Sequence, residues 1–191
     1  MELDRRRFLA GASATLASVN FPLFAEQTPA SDGKLTVAAI GHTGRGNFGH
    51  GLDTVWLHDP RTQVVAAADP DEKGLSAELK KLSIDRGFSD YRTMLAEVRP
   101  DIVAVCPRHA DQHRDMVVAC AEAGVKGVYI EKPFCRTPAE ADEMKAACQK
   151  RNVKLAVAHR NRYHPTLQVI DQMIADGKIG RLLEIRGRGK G

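Results

Sequence analysis

Cysteine and aromatic residues are scarce in this sequence, and their scarcity narrows the classes of protein that it can encode. Aromatic residues make up 5% of the 191 residues, and four cysteines stand singly at Cys106, Cys120, Cys135 and Cys148. Without a CxxC pair or a cysteine–histidine cluster, the pattern excludes the usual zinc motifs and predicts no metal site. We expect the four thiols to act as small apolar side chains.

Long hydrophobic runs are missing as well. Outside the first 30 residues no stretch of about 18 apolar residues occurs, so we expect no membrane-spanning helix and no stable membrane insertion. Hydrophobic residues still make up 43% of the chain and charged residues 27%. This composition is typical of a globular protein and excludes a wholly disordered one.

Positive charge is not concentrated on the body of the chain. The formal net charge is +4, of which residues 181–191 contribute +3, while residues 1–30 sum to zero. A nucleic-acid-binding protein usually carries a basic face on its folded body. The charge distribution therefore argues against nucleic acid as a partner.

Residues 1–33 have the order of an export signal followed by a spacer. Arg5–Arg7 precede Phe-Leu, a weakly apolar stretch over residues 10–25 and a polar segment. The arginines with Phe-Leu resemble the twin-arginine export signal, from which Asp4 and Ala10 depart. The resemblance implies the twin-arginine export machinery as a partner and a periplasmic or secreted location. An amphipathic N-terminal helix is the alternative.

From residue 34 onwards, short apolar runs alternate with segments of helical spacing. The predicted strands are Lys34–Gly41, Thr62–Asp69, Asp101–Cys106, Val125–Ile130 and Lys154–Ala158. The predicted helices are Gly46–Leu57, Glu72–Asp85, Asp90–Val98, Ala110–Ala123 and Thr137 to about Lys150. This alternation predicts an α/β fold with a doubly wound parallel (Rossmann) sheet over residues 34–159.

A glycine-rich segment follows the first predicted strand, at the sheet edge where such folds bind ligands. Its sequence, Gly-His-Thr-Gly-Arg-Gly, carries the candidate cofactor-binding residues Gly41, Thr43, Gly44, Arg45 and Gly46. Dinucleotide-binding folds need glycines here for a tight turn and for close approach of the backbone to a pyrophosphate. The middle glycine of GxGxxG is replaced by Thr43, so the motif alone is a weak signal.

An acidic residue follows the second predicted strand. Asp69 lies 28 residues after Gly41, close to the position expected for a carboxylate that binds the ribose 2′-hydroxyl. The neighbouring acids Asp71 and Glu72 would repel a 2′-phosphate, which favours NAD over NADP as the cofactor. The alternative for Asp69 is a turn or helix-capping acid.

A lysine follows the fourth predicted strand, between Glu131 and Pro133. At this edge of the sheet Lys132 is a candidate proton donor or electrostatic clamp on a substrate oxygen. From these three residues alone, an exposed Lys-Pro turn is the preferred interpretation.

Taken together, these motifs resemble the Gfo/Idh/MocA oxidoreductases from about Leu35 to the end of the chain. The residues that carry the resemblance are Gly41–Gly46, Asp69-Pro70, Val105–Pro107 with His113, Glu131–Pro133 and Asn161–Pro165. The glutamate–lysine–proline triplet is the most specific of them. Because of this triplet, a functional role for Lys132 is preferred over an exposed Lys-Pro turn.

The resemblance implies an NAD-dependent enzyme that moves a hydride between nicotinamide and a sugar or polyol hydroxyl. The resemblance also implies that Lys132 is the catalytic lysine and that Pro107 and Glu131 line the nicotinamide-ribose side. Asn161 and Arg162 lie near the substrate, and the full-length protein is a homo-oligomer. Two alternatives stay open: an exported glycosidase that uses NAD transiently, and a non-catalytic dinucleotide or sugar sensor. His113 is either a helix-start residue or a site residue.

Residues 160–191 are expected to begin a second α/β domain. A helix is predicted from about Pro165 to Asp176 and a strand near Leu183. The family's second domain carries an aspartate–histidine pair, and this sequence ends before such a pair occurs. We therefore interpret it as a fragment of a longer protein, inactive by itself.

Overall fold

The computed structural model describes residues 33–187, which contain a six-stranded parallel sheet. Its strands are β1 (Leu35–Ile40), β2 (Thr62–Ala68), β3 (Gly87–Phe88), β4 (Ile102–Val105), β5 (Gly127–Ile130) and β6 (Lys154–Val157). Their order across the sheet is β3-β2-β1-β4-β5-β6. The doubly wound parallel fold is confirmed, and only the two-residue β3 was not predicted. The predicted export signal lies outside the described residues, except for its last position.

Five α-helices connect or follow the strands within residues 33–187. They are α1 (Glu72–Leu82), α2 (Tyr91–Val98), α3 (His113–Glu122), α4 (Pro138–Lys150) and α5 (Pro165–Ala175). Short 3₁₀ helices occupy Val55–His58, Ala110–Gln112 and Arg160–Tyr163. No helix in this part of the chain is both long and apolar enough to cross a membrane.

Local sequence signals set the helix starts. Asp71 accepts a hydrogen bond from the Gly74 amide at the start of α1. At α4, Thr137 accepts one from the Glu140 amide, and Pro138 occupies the first turn. Such caps satisfy amides that have no partner inside the helix.

Apolar side chains pack on both faces of the sheet. Met94 on α2, Met116 on α3 and Met144 on α4 cover one face. Leu82 on α1, together with Phe48 and Leu52 from the segment after β1, covers the other. The four cysteines are unpaired thiols, three of them buried, as the sequence predicted.

The helix predicted over Gly46–Leu57 is wrong. Turns fill this segment as far as the 3₁₀ helix at Val55–His58. Gly46, Asn47, Gly49 and Gly51 have φ of 97°, 52°, 69° and 90°. Left-handed conformations at four of six positions cannot belong to a right-handed helix, so the apolar spacing here reflects packing of a loop.

The strand predicted near Leu183 is also absent. Residues 182–187 have no regular structure, and Leu183 and Ile185 are each 79% exposed. An isolated extended segment needs a neighbouring strand for its backbone hydrogen bonds, and none of the described strands pairs with it. The helix predicted before it does form, as α5.

Candidate active site

The candidate residues meet at one edge of the sheet because each follows the carboxyl end of a parallel strand. Gly41 follows β1, Asp69 follows β2 and Pro107 follows β4, while Lys132 and Asn161 come after β5 and β6. The strand order reverses between β1 and β4. Open α/β sheets bind ligands in the crevice at such a switch point.

The segment from Gly41 to Gly51, called the glycine loop below, forms a compact turn over this crevice. His42 and Asn47 pair as an antiparallel bridge, with N···O distances of 3.2 and 3.0 Å. The Asn47 side chain accepts a hydrogen bond from the Gly44 amide at 3.0 Å. The loop is therefore held in shape by its own backbone and by one asparagine.

Two glycines let the loop lie directly on the end of β4. A Cβ on Gly46 would stand 2.3 Å from the Arg108 nitrogen, and one on Gly49 would stand 2.5 Å from the Cys106 carbonyl oxygen. Neither position has room for a side chain. The glycines thus serve close backbone packing rather than the start of a helix.

Asp69 is buried and holds the glycine loop against β2. The Thr43 amide lies 3.1 and 2.9 Å from its two oxygens, the Thr43 hydroxyl donates to Oδ2 at 2.8 Å, and the Asp71 amide donates to Oδ1 at 2.9 Å. Its exposure is 1%. Three donors already engage a carboxylate that has about four acceptor sites, and one of them is shared by both oxygens, so a ribose hydroxyl would compete with these donors. The Thr43 hydroxyl is the donor that can rotate away.

Thr43 also explains a glycine in α1. A Cβ on Gly74 would stand 1.9 Å from the Thr43 hydroxyl oxygen. The threonine that replaces the second loop glycine is therefore accommodated by a glycine across the crevice. This pairing was not predicted from the sequence, because the two residues lie on different elements.

A cleft of about 190 Å³ opens beside Asp69. Its walls come from the ends of β1 and β2 and from the start of α2, and include Gly41, Asp69, Pro70 and Tyr91. His42 and Gln112, joined by a 2.6 Å hydrogen bond, line it on the side of β4. Arg45 forms an ion pair with Asp111, the residue that precedes Gln112 in the sequence.

Glu131 connects the glycine loop to Lys132. One carboxylate oxygen accepts from the His50 amide at 3.0 Å and lies 2.9 Å from the His50 ring Nδ1. The other oxygen accepts from the Lys132 amide at 2.8 Å. Glu131 is 1% exposed, while His50 and Lys132 are exposed. His50 was not predicted from the sequence, since it carries no motif and lies 81 residues from its partner.

His113 ties the end of β4 to the segment after Lys132. Its Nε2 lies 2.7 Å from the Pro107 carbonyl oxygen, and its Nδ1 lies 3.1 Å from the Phe134 carbonyl oxygen. The ring is fully buried. These contacts favour the helix-start interpretation of His113 over direct contact with a ligand.

Asn161 and Arg162 lie on the 3₁₀ helix that follows β6, and both are exposed. Because β6 pairs with β5, they share an edge of the sheet with Lys132. Within residues 33–187 no group of three or more metal-ligating side chains is gathered.

The residues present fit a dinucleotide. The cleft reaches the buried Asp69 carboxylate, where a ribose hydroxyl would bind, and glycine backbone borders the crevice without obstructing side chains. The site differs from the usual arrangement in one respect. Because turns replace the first helix, a diphosphate would meet the glycine loop rather than a helix N-terminus, and the amides of Thr43 and Gly44 already donate to side chains.

Fold and site together define a dinucleotide-binding protein of the Rossmann type. The family model described as "Oxidoreductase family, NAD-binding Rossmann fold" (GFO_IDH_MocA) matches residues 36–159. The chain belongs to this Gfo/Idh/MocA oxidoreductase family.

Characterised relatives include sugar dehydrogenases. The chain is 33% identical over 137 residues to D-apiose dehydrogenase of Paraburkholderia graminis, covering 72% of this chain and 36% of the relative. It is 34% identical over 132 residues to levoglucosan dehydrogenase of Pseudarthrobacter phenanthrenivorans, covering 67% and 32%. The chain thus spans about a third of the length of these curated relatives.

A solved structure shows the same architecture with a cofactor bound. The WlbA dehydrogenase from Bordetella pertussis, in complex with NADH and UDP-GlcNAcA, superimposes with a TM-score of 0.66. Its sequence is 26% identical, and the match covers 78% of this chain and 44% of that one.

Proposed function

We propose that this chain is the cofactor-binding part of an NAD-dependent oxidoreductase that moves a hydride between nicotinamide and a hydroxyl-bearing carbon of a sugar or polyol. The observation that carries the proposal is the Glu131 carboxylate, which joins the glycine loop to Lys132. This contact links the backbone of the exposed Lys132 to the end of the glycine loop. The dehydrogenases of D-apiose and levoglucosan among the relatives support the substrate class.

Each group of residues at the site has a separate role in this proposal. Asp69 and the glycine loop bind and orient the cofactor, and Glu131 fixes the backbone from which Lys132 extends. The Lys132 ammonium holds the substrate hydroxyl and assists movement of its proton. Asn161 and Arg162 border the substrate side. The cofactor, when bound, accepts or supplies the hydride.

NAD is favoured over NADP at this site. The Asp69 carboxylate is buried and lines the cleft, and Asp71 follows it as the cap of α1. A 2′-phosphate would meet both negative charges, whereas a 2′-hydroxyl can donate to Asp69.

Calorimetric titration of the chain with NAD and NADP tests this proposal. We expect NAD to bind more tightly than NADP, and Asp69→Ala to weaken NAD binding by about 1–3 kcal/mol because a charge-assisted hydrogen bond is lost. Since Asp69 also holds Thr43, melting curves of the variant control for a disturbed loop. Tighter binding of NADP would contradict the argument from the acidic residues.

The effect of a Lys132 substitution on turnover, compared with its effect on NAD affinity, distinguishes a catalytic role from a role in cofactor binding. In the complete enzyme, Lys132→Ala should lower the turnover of sugar or polyol oxidation by about 100-fold or more while NAD affinity stays within about threefold. Lys145→Ala, an exposed lysine on α4, is the matched control. Equal losses of turnover and affinity would make Lys132 a binding residue.

The protein acts outside the cytoplasm after twin-arginine export of the folded chain. The support is the order of charged, apolar and polar segments in residues 1–33. A reporter fused to these residues should reach the periplasm, and Arg5→Lys combined with Arg6→Lys should retain it inside. Unchanged export of the double variant would exclude this route.

A further inference from the structure

Two buried acids share one lysine beneath the glycine loop. Asp53, just after the loop, is 1% exposed, and Glu78 on α1 is 4% exposed. The Lys81 ammonium forms an ion pair with Asp53 and lies 3.1 Å from the Glu78 carboxylate. With one cation for two carboxyl groups, this cluster carries an unbalanced negative charge if both acids are ionised. Burying an unbalanced charge is costly.

The geometry indicates a proton between the two acids. Asp53 Oδ1 is buried and has no hydrogen-bond partner among the described residues, and two carboxylates can only accept. A protonated Glu78 would donate its O–H to Asp53 and remove the conflict. Burial, followed by this hydrogen bond to Asp53, raises the pKa of Glu78 from 4.5 to about 7, although Lys81 acts in the opposite direction.

The Phe48 side chain lies between this acidic cluster and Gly41, the first glycine of the loop. The Lys81 ammonium lies 5.9 Å from the centre of the Phe48 ring. That ring packs against Gly41 so closely that a Cβ there would stand 2.3 Å from it. A change in the position of Lys81 or Phe48 therefore reaches the backbone that begins the loop.

The remaining titratable groups nearby make a second buried negative charge more costly. Asp53, Glu78 and Glu131 all act on the fully buried Cys106, whose thiol pKa is raised well above its ordinary value, chiefly by burial. Cys106 thus stays neutral and offers no charge. Glu131 is already bonded to His50 and Lys132. An anion bound at the glycine loop, which ends two residues before Asp53, would add a further negative charge without the help of a helix N-terminus.

We propose that Glu78 is a positioning residue for the glycine loop, protonated and bonded to Asp53 whenever a dinucleotide is bound, so that binding above neutral pH takes up a proton from solution. The proposal rests on the proposed function, since the ligand is the anionic dinucleotide. The step is one proton transfer from buffer to the Glu78 carboxylate. It forms one O–H bond there, breaks one in the buffer acid, and moves no electrons between oxidation states.

Calorimetry of NAD binding in two buffers counts the protons. Phosphate and Tris differ in ionisation enthalpy, so titrations of the full chain at pH 8 in each give the number of protons taken up per NAD. We expect a value close to one at pH 8 and close to zero at pH 6. The dissociation constant should increase by up to about tenfold per pH unit above pH 7.

Two variants locate the proton. Glu78→Gln keeps a donor toward Asp53 without a titratable group, so it should bind NAD with no proton uptake and with little change between pH 6 and 8. Asp53→Asn removes the partner that retains the proton and should also reduce the uptake. Glu97→Gln, an exposed acid on α2, is the control and should behave like the unmodified chain. Melting curves confirm folding of each.

The outcomes separate this proposal from the proposed function. NAD binding without proton uptake at pH 8 would overturn the role of Glu78 and leave the proposed function standing. Uptake that persists unchanged in Glu78→Gln would also overturn it, because the proton would go elsewhere. Absence of NAD binding at every pH would reject the proposed function and this proposal together.

Discussion

Thr43 stands where the dinucleotide-binding pattern has its second glycine, and its side chain helps to hold the glycine loop in place. Its hydroxyl donates to Asp69 and fits against Gly74. The threonine therefore fastens the loop to the end of β2 and packs beside α1, and it occupies one acceptor site on the ribose-binding carboxylate.

Removing that hydroxyl should improve cofactor binding while weakening the fold. We expect Thr43→Ala to increase NAD affinity by a few-fold, because a ribose hydroxyl no longer competes with the Thr43 hydroxyl for Asp69. The free energy of unfolding should fall by about 1 kcal/mol, the usual value of one hydrogen bond. Calorimetry and denaturant titration measure both, with Thr43→Ser as the control. Weaker NAD binding in Thr43→Ala would mean that the hydroxyl itself contacts the cofactor.

Single residues at strand ends were predictable, and their partners were not. Asp69 and Lys132 could be named because a parallel sheet gathers its strand ends at one edge. The partners of Glu131 and Glu78 depend on how separate elements pack, which no spacing in the sequence encodes. His50 and Asp53 in particular lie in a segment for which a helix was predicted.

At the level of elements, the glycine loop explains the largest error of the sequence prediction. The described strands other than β3, and the helices α1 to α5, were predictable from apolar runs, caps and helical periodicity. Between β1 and β2 the same apolar spacing at Phe48 and Leu52 serves a loop, since both side chains are buried against the sheet. Periodicity cannot distinguish these cases when several glycines adopt positive φ.

Two glycines of the loop provide a matched pair for testing this account. Gly44 and Gly46 have φ of 84° and 97°, but a Cβ meets nothing within 4 Å at Gly44 and stands 2.3 Å from the Arg108 nitrogen at Gly46. Gly44→Ala should cost about 1 kcal/mol of unfolding free energy from backbone strain alone. Gly46→Ala should cost about 2 kcal/mol more, because the loop must lift from β4.

Denaturant unfolding of both variants measures this difference. Equal losses of stability would show that the loop is not pressed against the end of β4. The same pair should differ in NAD affinity, with Gly46→Ala the weaker binder.

Across the whole molecule, the buried acid beneath the loop makes stability depend on pH. Burial, followed by the hydrogen bond to Asp53, raises the pKa of Glu78 from 4.5 to about 7 in the fold. Between these values the folded chain binds more protons than the unfolded chain, so stability falls as pH rises through this window and levels off above it. We expect Glu78 to lower the free energy of unfolding by about 1–3 kcal/mol as the pH rises through this window.

Thermal unfolding from pH 5 to 8 checks this dependence. The unmodified chain should lose stability toward pH 8 relative to Glu78→Gln, whose profile should be flatter over this range. Parallel profiles for the two proteins would show that Glu78 does not retain its proton in the fold.

The most direct test of the central claim is an NMR titration of the isotopically labelled chain with NAD. Our account predicts that amide shifts concentrate in the glycine loop and at Asp69, Asp71 and Lys132. Another cleft, bordered by Phe134, Asp142 and Lys145, offers an alternative location away from the glycine loop. Shifts confined to that cleft, or no shifts at saturating NAD, would contradict the account.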